Sequence, residues 1–360
     1  DNFISFFIFI KIMSGLFDNI LHDNESLFLD EIALDYDYIP KQIPYRETQQ
    51  QFIAECISPL LQNKTGRNLF IQGAPGIGKT LAALYVKREL EEKTSDVKTI
   101  YINCWKKDSS YKILLEICNQ VGYKWTQNKR TDELMDIVAK ELNKGTVVLF
   151  LDEIDKVREV DILYSFCEDL LKKSLILIAN NKEWLNQLDD RVKSRLMPEL
   201  LEFNEYNAKE TEGILRERTD YAFAKGIWDP DALQAVINKT IQMGDIRSGL
   251  FILRESGNCA EAKASRKINI EHAHKALSKL EGFKIKNSLD FGDDEQSILD
   301  LVRGNSGKTV KELHSLVEKK FSYRTFHRKI DELRKNNMLD VLEVPGKSSI
   351  VNYSKKLTEF

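Results

Sequence analysis

The stretch Phe70 to Thr80, "FIQGAPGIGKT", constrains this chain more than any other part of it. An apolar, strand-forming run ends in a glycine-rich turn, and the turn passes straight into "LAALYVKREL", a good helix. Gly73 through Thr80 matches the spacing G-x-x-x-x-G-K-T in the strand–loop–helix context that the motif requires. Small residues let consecutive backbone N–H groups converge on one concavity, and the helix N-terminus adds partial positive charge. Gly73, Pro75, Gly76, Ile77, Gly78 and Leu81 build and flank this cradle. Lys79 is placed to reach β- and γ-phosphates, and Thr80 to ligate Mg²⁺.

The surrounding pattern predicts an α/β architecture. The runs "NLFIQG", "VKTIYINC", "TVVLFLDE" and "SLILIAN" are short, apolar and separated by helical stretches. Such alternation argues for a mostly parallel sheet with helices on both faces. Ahead of it, Phe52, Ile53, Ile57, Leu60 and Leu61 fall at helical spacing. After Phe203 the strands stop, and consecutive amphipathic helices follow, with Asp229 and Asp231 flanking Pro230 as one start signal and Asn269 capping the last. The polar stretch "KIKNSLDFGDDE" then separates a third block. There "EQSILDLVRG", "TVKELHSLVEKKF" and "SYRTFHRKIDELRKNNM" read as helices and "LDVLEVPGKSSIVNYS" as two strands around a Pro-Gly-Lys turn, the winged form of the helix-turn-helix.

Charge is divided along the chain. The net charge of −3 conceals +6 over Leu301 to Phe360, where 13 Lys and Arg face 7 Asp and Glu. A basic block behind an acidic body suits a DNA-contacting tail, with a merely solvated surface as the alternative. Five scattered cysteines without a C-x-x-C pair suit reduced thiols, and a zinc site is not expected. The apolar start "DNFISFFIFIKI" is shorter than the roughly 20 residues that span a bilayer, so no membrane attachment is expected. It lacks a signal peptide's basic start and cleavage site, and residues 1–12 are expected to be an upstream extension without function. The expected location is cytoplasmic, on the nucleoid.

Acidic and polar residues complete the phosphate site. "VVLFLDEID" delivers Asp152 to the end of a buried strand, where it can hold the Mg²⁺ shell. Glu153 beside it is the candidate general base toward the attacking water. Asn180 ends the next apolar strand; if that strand neighbours the acidic one, its amide aims at the γ-phosphate. Arg191 and Arg195 in "RVKSR" lie one helical turn apart.

Taken in order, phosphate loop, D-E strand, strand-end Asn, paired Arg, helical lid and "GDIR" resemble an AAA+ ATPase. Within that class the chain is similar to the archaeal replication-initiator family, related to the eukaryotic origin recognition complex and its helicase-loading partner. The likeness is carried by "YIPKQIPYRETQQQFIA", "VKTIYINC", "YKILLEICNQVG", "LDDRVKSRL", "GDIRSGLFILRESG" and the winged tail, and runs from about Leu16 to Leu357. It implies that Tyr38, Ile39, Pro40, Pro44 and Arg46 lie near the adenine of ATP or ADP, and that Tyr206 and Arg218 close the pocket from the lid. It implies that Arg247 senses the γ-phosphate and that Arg195, with Arg191, is presented to the ATP of another copy or a paralogue. The segment 105–131 stands where initiators carry a DNA-touching insert, which points to Lys106, Lys107 and Lys112. Two departures stand out: Ile77 replaces a small or hydroxyl residue, and Gly249 replaces a lid alanine.

The expected domains are an AAA+ base at 13–207, a helical lid at 208–288 and a winged helix at 289–360. In the winged helix Phe326, Ile330 and Leu333 face the core, leaving Tyr323, Arg324, Thr325, Arg328 and Lys329 toward DNA, with Lys347 at the wing tip. The resemblance implies an initiator that binds origin duplex under ATP control, recruits the replicative helicase and hydrolyses ATP slowly as a reset. A winged-helix ATPase regulating transcription, or a transposition-associated adaptor, remains the alternative.

Overall fold

Alternation along the central strand separates the layers. The structure, a computed structural model, describes residues 26–36, 38–181, 183–289, 293–305, 307–317, 321–335, 339–342 and 349–353. Residues 1–12 and Lys347 lie outside these. In β3 (Thr146–Asp152) every residue is buried, as a strand covered on both faces requires. Val147, Leu149 and Leu151 pack with the helices Ser110–Gln120, Thr131–Leu142 and Asp161–Asp169. Val148 and Phe150 point the other way, into a core shared with the helices Glu47–Ile57 and Lys79–Lys93. A period of two therefore puts Asp152 on the same face as Phe150, toward the phosphate-loop helix.

The other strands are β1 (Leu69–Gln72), β2 (Val97–Asn103), β4 (Lys173–Ala179) and β5 (Glu199–Glu202). All pair in parallel, in the order β2-β3-β4-β1-β5. The register sets Asn103 opposite Asp152 and Gln72 opposite Ala179, which gathers the phosphate loop, Asp152 and Asn180 at the carboxyl edge. β5 is not among the apolar runs of the sequence. Its "ELLE" is mostly exposed and pairs with β1 alone, and only Leu201 packs against the core, so no apolar run was demanded.

Four helices follow: Ala208–Ala222, Pro230–Met243, Ile246–Glu261 and Ile270–Leu289. Asn207 and Glu210 form a capping box, Pro230 takes the first turn, and Asn269 Oδ1 accepts from the N–H groups of Glu271 and His272. Gly249 has a packing reason: a Cβ there would lie 2.6 Å from Thr240 Oγ1 and 2.9 Å from Leu215 Cδ2. The last helix runs through Leu289, so the first half of the polar stretch read as a separator is helical.

The chain divides into two compact units, 1–277 and 278–360, and the division falls within that helix. The second unit holds the helices Asp293–Gly304, Val310–Ser315 and Tyr323–Lys335. Its antiparallel sheet has the order β6-β8-β7, from β6 (Lys308–Thr309), β7 (Leu339–Leu342) and β8 (Ile350–Tyr353). Ile298, Val302, Leu313, Phe326, Ile330, Leu333 and Val351 share its core. The middle helix is shorter than its sequence pattern, giving way to a turn at Leu316–Val317. Among the described residues no helix is long and apolar enough to cross a membrane.

Candidate nucleotide site

The loop after β1 takes backbone conformations that side chains resist. Gly76 and Gly78 have φ of 79° and 88°, in the left-handed region. A Cβ on Gly76 would run into Asp245 Oδ1, and one on Gly78 would come within 2.7 Å of the Tyr206 hydroxyl. The loop is thus in contact with both the segment after β5 and the lid. Ile77 is buried in the core beneath, which accounts for an apolar residue there. Pro75 is exposed and Leu81 half-buried.

Lys79 is buried, and its Nζ donates to the carbonyls of Gly73 (2.8 Å) and Ala74 (2.7 Å) and to Asn180 Oδ1 (2.8 Å). Burial pulls its pKa down to about 8, with Asp152 opposing the shift and Arg247 adding to it. β4 does neighbour β3, and its other edge pairs with β1, which sets Asn180 beside the loop and the lysine that follow β1.

Asp152, 2% exposed, is held by three donors. Thr80 Oγ1 (2.8 Å) and Tyr101 Oη (2.7 Å) both donate to Oδ2, and the Glu153 N–H donates to Oδ1 (2.9 Å). Tyr101 is a member of the site that sequence reasoning missed; its signal is a tyrosine on the polar face of a strand beside the acidic one. Glu153 itself is in the left-handed region (φ 53°, ψ 43°), which a non-glycine residue adopts at a cost. Burial, then Asp152 and Asp155, push its carboxyl pKa upward.

The leader straddles base and lid. Arg88, on the phosphate-loop helix, donates to the carbonyls of Ile39 (3.3 Å) and Pro40 (3.0 Å), while Arg218, on the first lid helix, donates to those of Ala33 (3.1 Å) and Tyr38 (3.4 Å). Arg218 is buried with its guanidinium 4.9 Å from the Tyr38 ring centroid, so its donors go to the leader. Arg46 is likewise a buried clamp: Nε and Nη2 donate to Ile77 O (3.2 and 3.0 Å), and Nη2 donates to Asn204 O (2.7 Å). Pro44 is half-buried beside it. On the lid, the Asp245 carboxylate caps the helix that carries Arg247, and Arg247 is near enough to Lys79 and Glu153 to affect both protonation equilibria.

Arg195 and Arg191 are exposed on the helix Asp190–Leu196, and Arg195 Nε pairs with Glu168 at 2.8 Å. In the insert, Lys107 pairs with Glu116 (3.0 Å) and Lys112 with Asp108 (2.7 Å), while Lys106 is exposed. Surface pairs of this kind exchange easily for other partners. In the second unit Tyr323, Arg324 and Arg328 are exposed and Thr325 is half-buried. Lys329 departs from expectation: it is only 9% exposed and reaches Asp294 at 3.6 Å. Three residues after Phe326, it flanks the apolar stripe, so its stem lies along the core and its charge turns inward to the neighbouring helix.

These residues fit a nucleoside triphosphate with a divalent cation. The loop offers backbone N–H groups, a buried ammonium and hard oxygen donors from Thr80 and Asp152. Among the described residues no group of three His, Cys, Asp or Glu could hold a metal alone, so phosphate oxygens would complete the shell.

Sheet order, loop and helical lid define an AAA+ ATPase. The AAA domain family matches residues 62–198, and the Cdc6 AAA+ ATPase-type lid domain matches 212–278. The chain is 34% identical over 282 residues to ORC1-type DNA replication protein 1 of Archaeoglobus fulgidus, covering 74% of this chain and 69% of that one. It is 34% identical over 284 residues to the Sulfurisphaera tokodaii protein of the same name, covering 75% and 71%. The structure of the Aeropyrum pernix ORC1 protein in complex with DNA superposes with a TM-score of 0.74 at 26% identity, over 92% of this chain and 95% of that one. The chain belongs to the ORC1-type DNA replication proteins, which are replication initiators of the ORC1/Cdc6 type.

Proposed function

We propose that this chain binds origin DNA duplex under the control of ATP and Mg²⁺, recruits the replicative helicase, and hydrolyses ATP slowly to reset. The observation that carries the switch is the phosphate loop's position against both base and lid: Gly78 abuts Tyr206 and Gly76 abuts Asp245. A ligand in that seam interacts differently with open and closed arrangements, as a population shift requires. Mg²⁺, when bound, neutralises phosphate charge. Thr80 and Asp152 hold it, Lys79 binds phosphate oxygens, Asn180 and Glu153 orient a water, and Glu153 takes its proton. Arg247 approaches from the lid. Arg195 reaches the site of another copy or a paralogue, releasing Glu168. The winged helix supplies the DNA grip, and the DNA complex of the Aeropyrum pernix relative supports that assignment.

The test is a chromosome-wide map of this protein's binding, followed by footprinting of the recovered duplex with ATP and with ADP. Enrichment at a discrete locus with nucleotide-dependent protection is expected. Uniform binding, or protection indifferent to nucleotide, would remove the reading. Arg195→Ala should keep ATP affinity and lose assembly-dependent turnover; loss of both would refute action in trans.

A further inference from the structure

Asp152 owes its orientation to a neighbouring strand as well as to its own. Tyr101 of β2 pairs in register with Phe150, and Asn103 with Asp152. The tyrosine therefore stands two residues back from the position opposite the carboxylate, a diagonal that an aromatic side chain can span. Its ring packs at the edge of the core beneath the phosphate-loop helix. Its hydroxyl donates to the same Oδ2 that accepts from Thr80, at 2.7 Å against 2.8 Å. Hydrogen bonds to an ionised oxygen at this length are strong.

We propose that Tyr101 is a positioning residue for the divalent cation of the nucleotide site. Its O–H fixes the Asp152 carboxylate, and the fixed carboxylate holds the Thr80 hydroxyl proton. The Thr80 oxygen lone pairs are thereby left for a cation. Without the phenol, Oδ2 keeps one donor and the carboxylate gains freedom to turn. The inference rests on the nucleotide reading above and assigns a metal-tuning role to a residue that itself touches neither metal nor phosphate.

Tyr101→Phe removes the hydroxyl and keeps the ring. Binding of a fluorescent ATP analogue is titrated with MgCl₂ and, separately, measured in EDTA. The variant is expected to need about tenfold more Mg²⁺ for half-maximal tightening, the usual scale for a lost outer-shell partner. Its affinity in EDTA stays within about twofold of the unaltered chain, which also reports that the loop is intact. In an Asp152→Asn background, adding Tyr101→Phe changes the Mg²⁺ titration no further, because its effect runs through that carboxylate. An unchanged Mg²⁺ requirement, or equal weakening with and without metal, would overturn the proposal in favour of a packing role. If the unaltered chain shows no Mg²⁺-dependent tightening at all, the nucleotide reading falls first and this inference with it.

Discussion

The Arg46 guanidinium lies 3.8 Å from the centroid of the Tyr206 ring, and joins the leader to the connection between sheet and lid. Its donors go to Ile77 O in the phosphate loop and Asn204 O beyond β5. Three segments distant in sequence are thus tied by one buried cation, stacked on an aromatic face.

Arg46→Ala should therefore act on stability and nucleotide binding together. It strands two carbonyls and removes the stacking, at a combined cost of about 3 kcal/mol. Arg46→Lys keeps the charge without the planar fork and should fall between. Urea denaturation gives the ordering, and calorimetry on the folded fraction should show weaker ATP binding for both. An Arg46→Ala midpoint equal to that of the unaltered chain would mean that the clamp contributes nothing.

Lys79 makes ATP binding sensitive to alkaline pH. With a pKa of about 8, set mainly by burial, it is charged below that pH and increasingly neutral above. Phosphates beside it favour the charged form and raise the pKa. Binding at pH 8.5 should therefore take up a fraction of a proton, while binding at pH 6.5 takes up almost none at this residue. Affinity should decline as pH rises through 8. Calorimetry in buffers of differing ionisation enthalpy measures the uptake, and Lys79→Arg should abolish its pH 8.5 component.

Glu153 carries its carboxylate on a left-handed residue, so two truncations separate backbone cost from side-chain role. Glu153→Gly and Glu153→Ala both remove the carboxylate and should both lose turnover. Glycine accepts this conformation freely, so Glu153→Gly should be more stable than Glu153→Ala by about 1 kcal/mol. Equal midpoints would show that the turn relaxes once the glutamate is gone.

Legibility in the sequence followed how local each signal was. Asp152 could be read because five apolar residues in strand register run into it, and Lys79 because its loop motif is contiguous. β5 was silent, since an exposed edge strand needs no apolar pattern. The separator at "KIKNSL" continues as helix because polar residues suit a solvated helix as well as a loop. Tyr101 and Arg218 could be picked out as candidates, but their partners depend on register and on packing between segments far apart, which spacing does not record. Lys329 misled for a different reason: on a helical wheel it borders the stripe, and the wheel does not record Asp294, the carboxylate of the neighbouring helix that it reaches.

That distinction gives the winged helix its own test. Arg324 is exposed on the helix Tyr323–Lys335, close to Tyr323, whose ring meets His314 edge-on at 5.2 Å. If this face contacts phosphates, each lost cation removes roughly one counterion release. Arg324→Ala should then weaken duplex binding and reduce the slope of log K against log salt by about 1. Lys329→Met keeps the buried stem and leaves Asp294 at the solvent-facing side of the pair, so it should cost little stability and leave the salt slope unchanged. Fluorescence anisotropy with one duplex across a salt series measures both. Equal slope changes for the two variants would place Lys329 back on the DNA face, and no change for Arg324→Ala would move the contact off this helix.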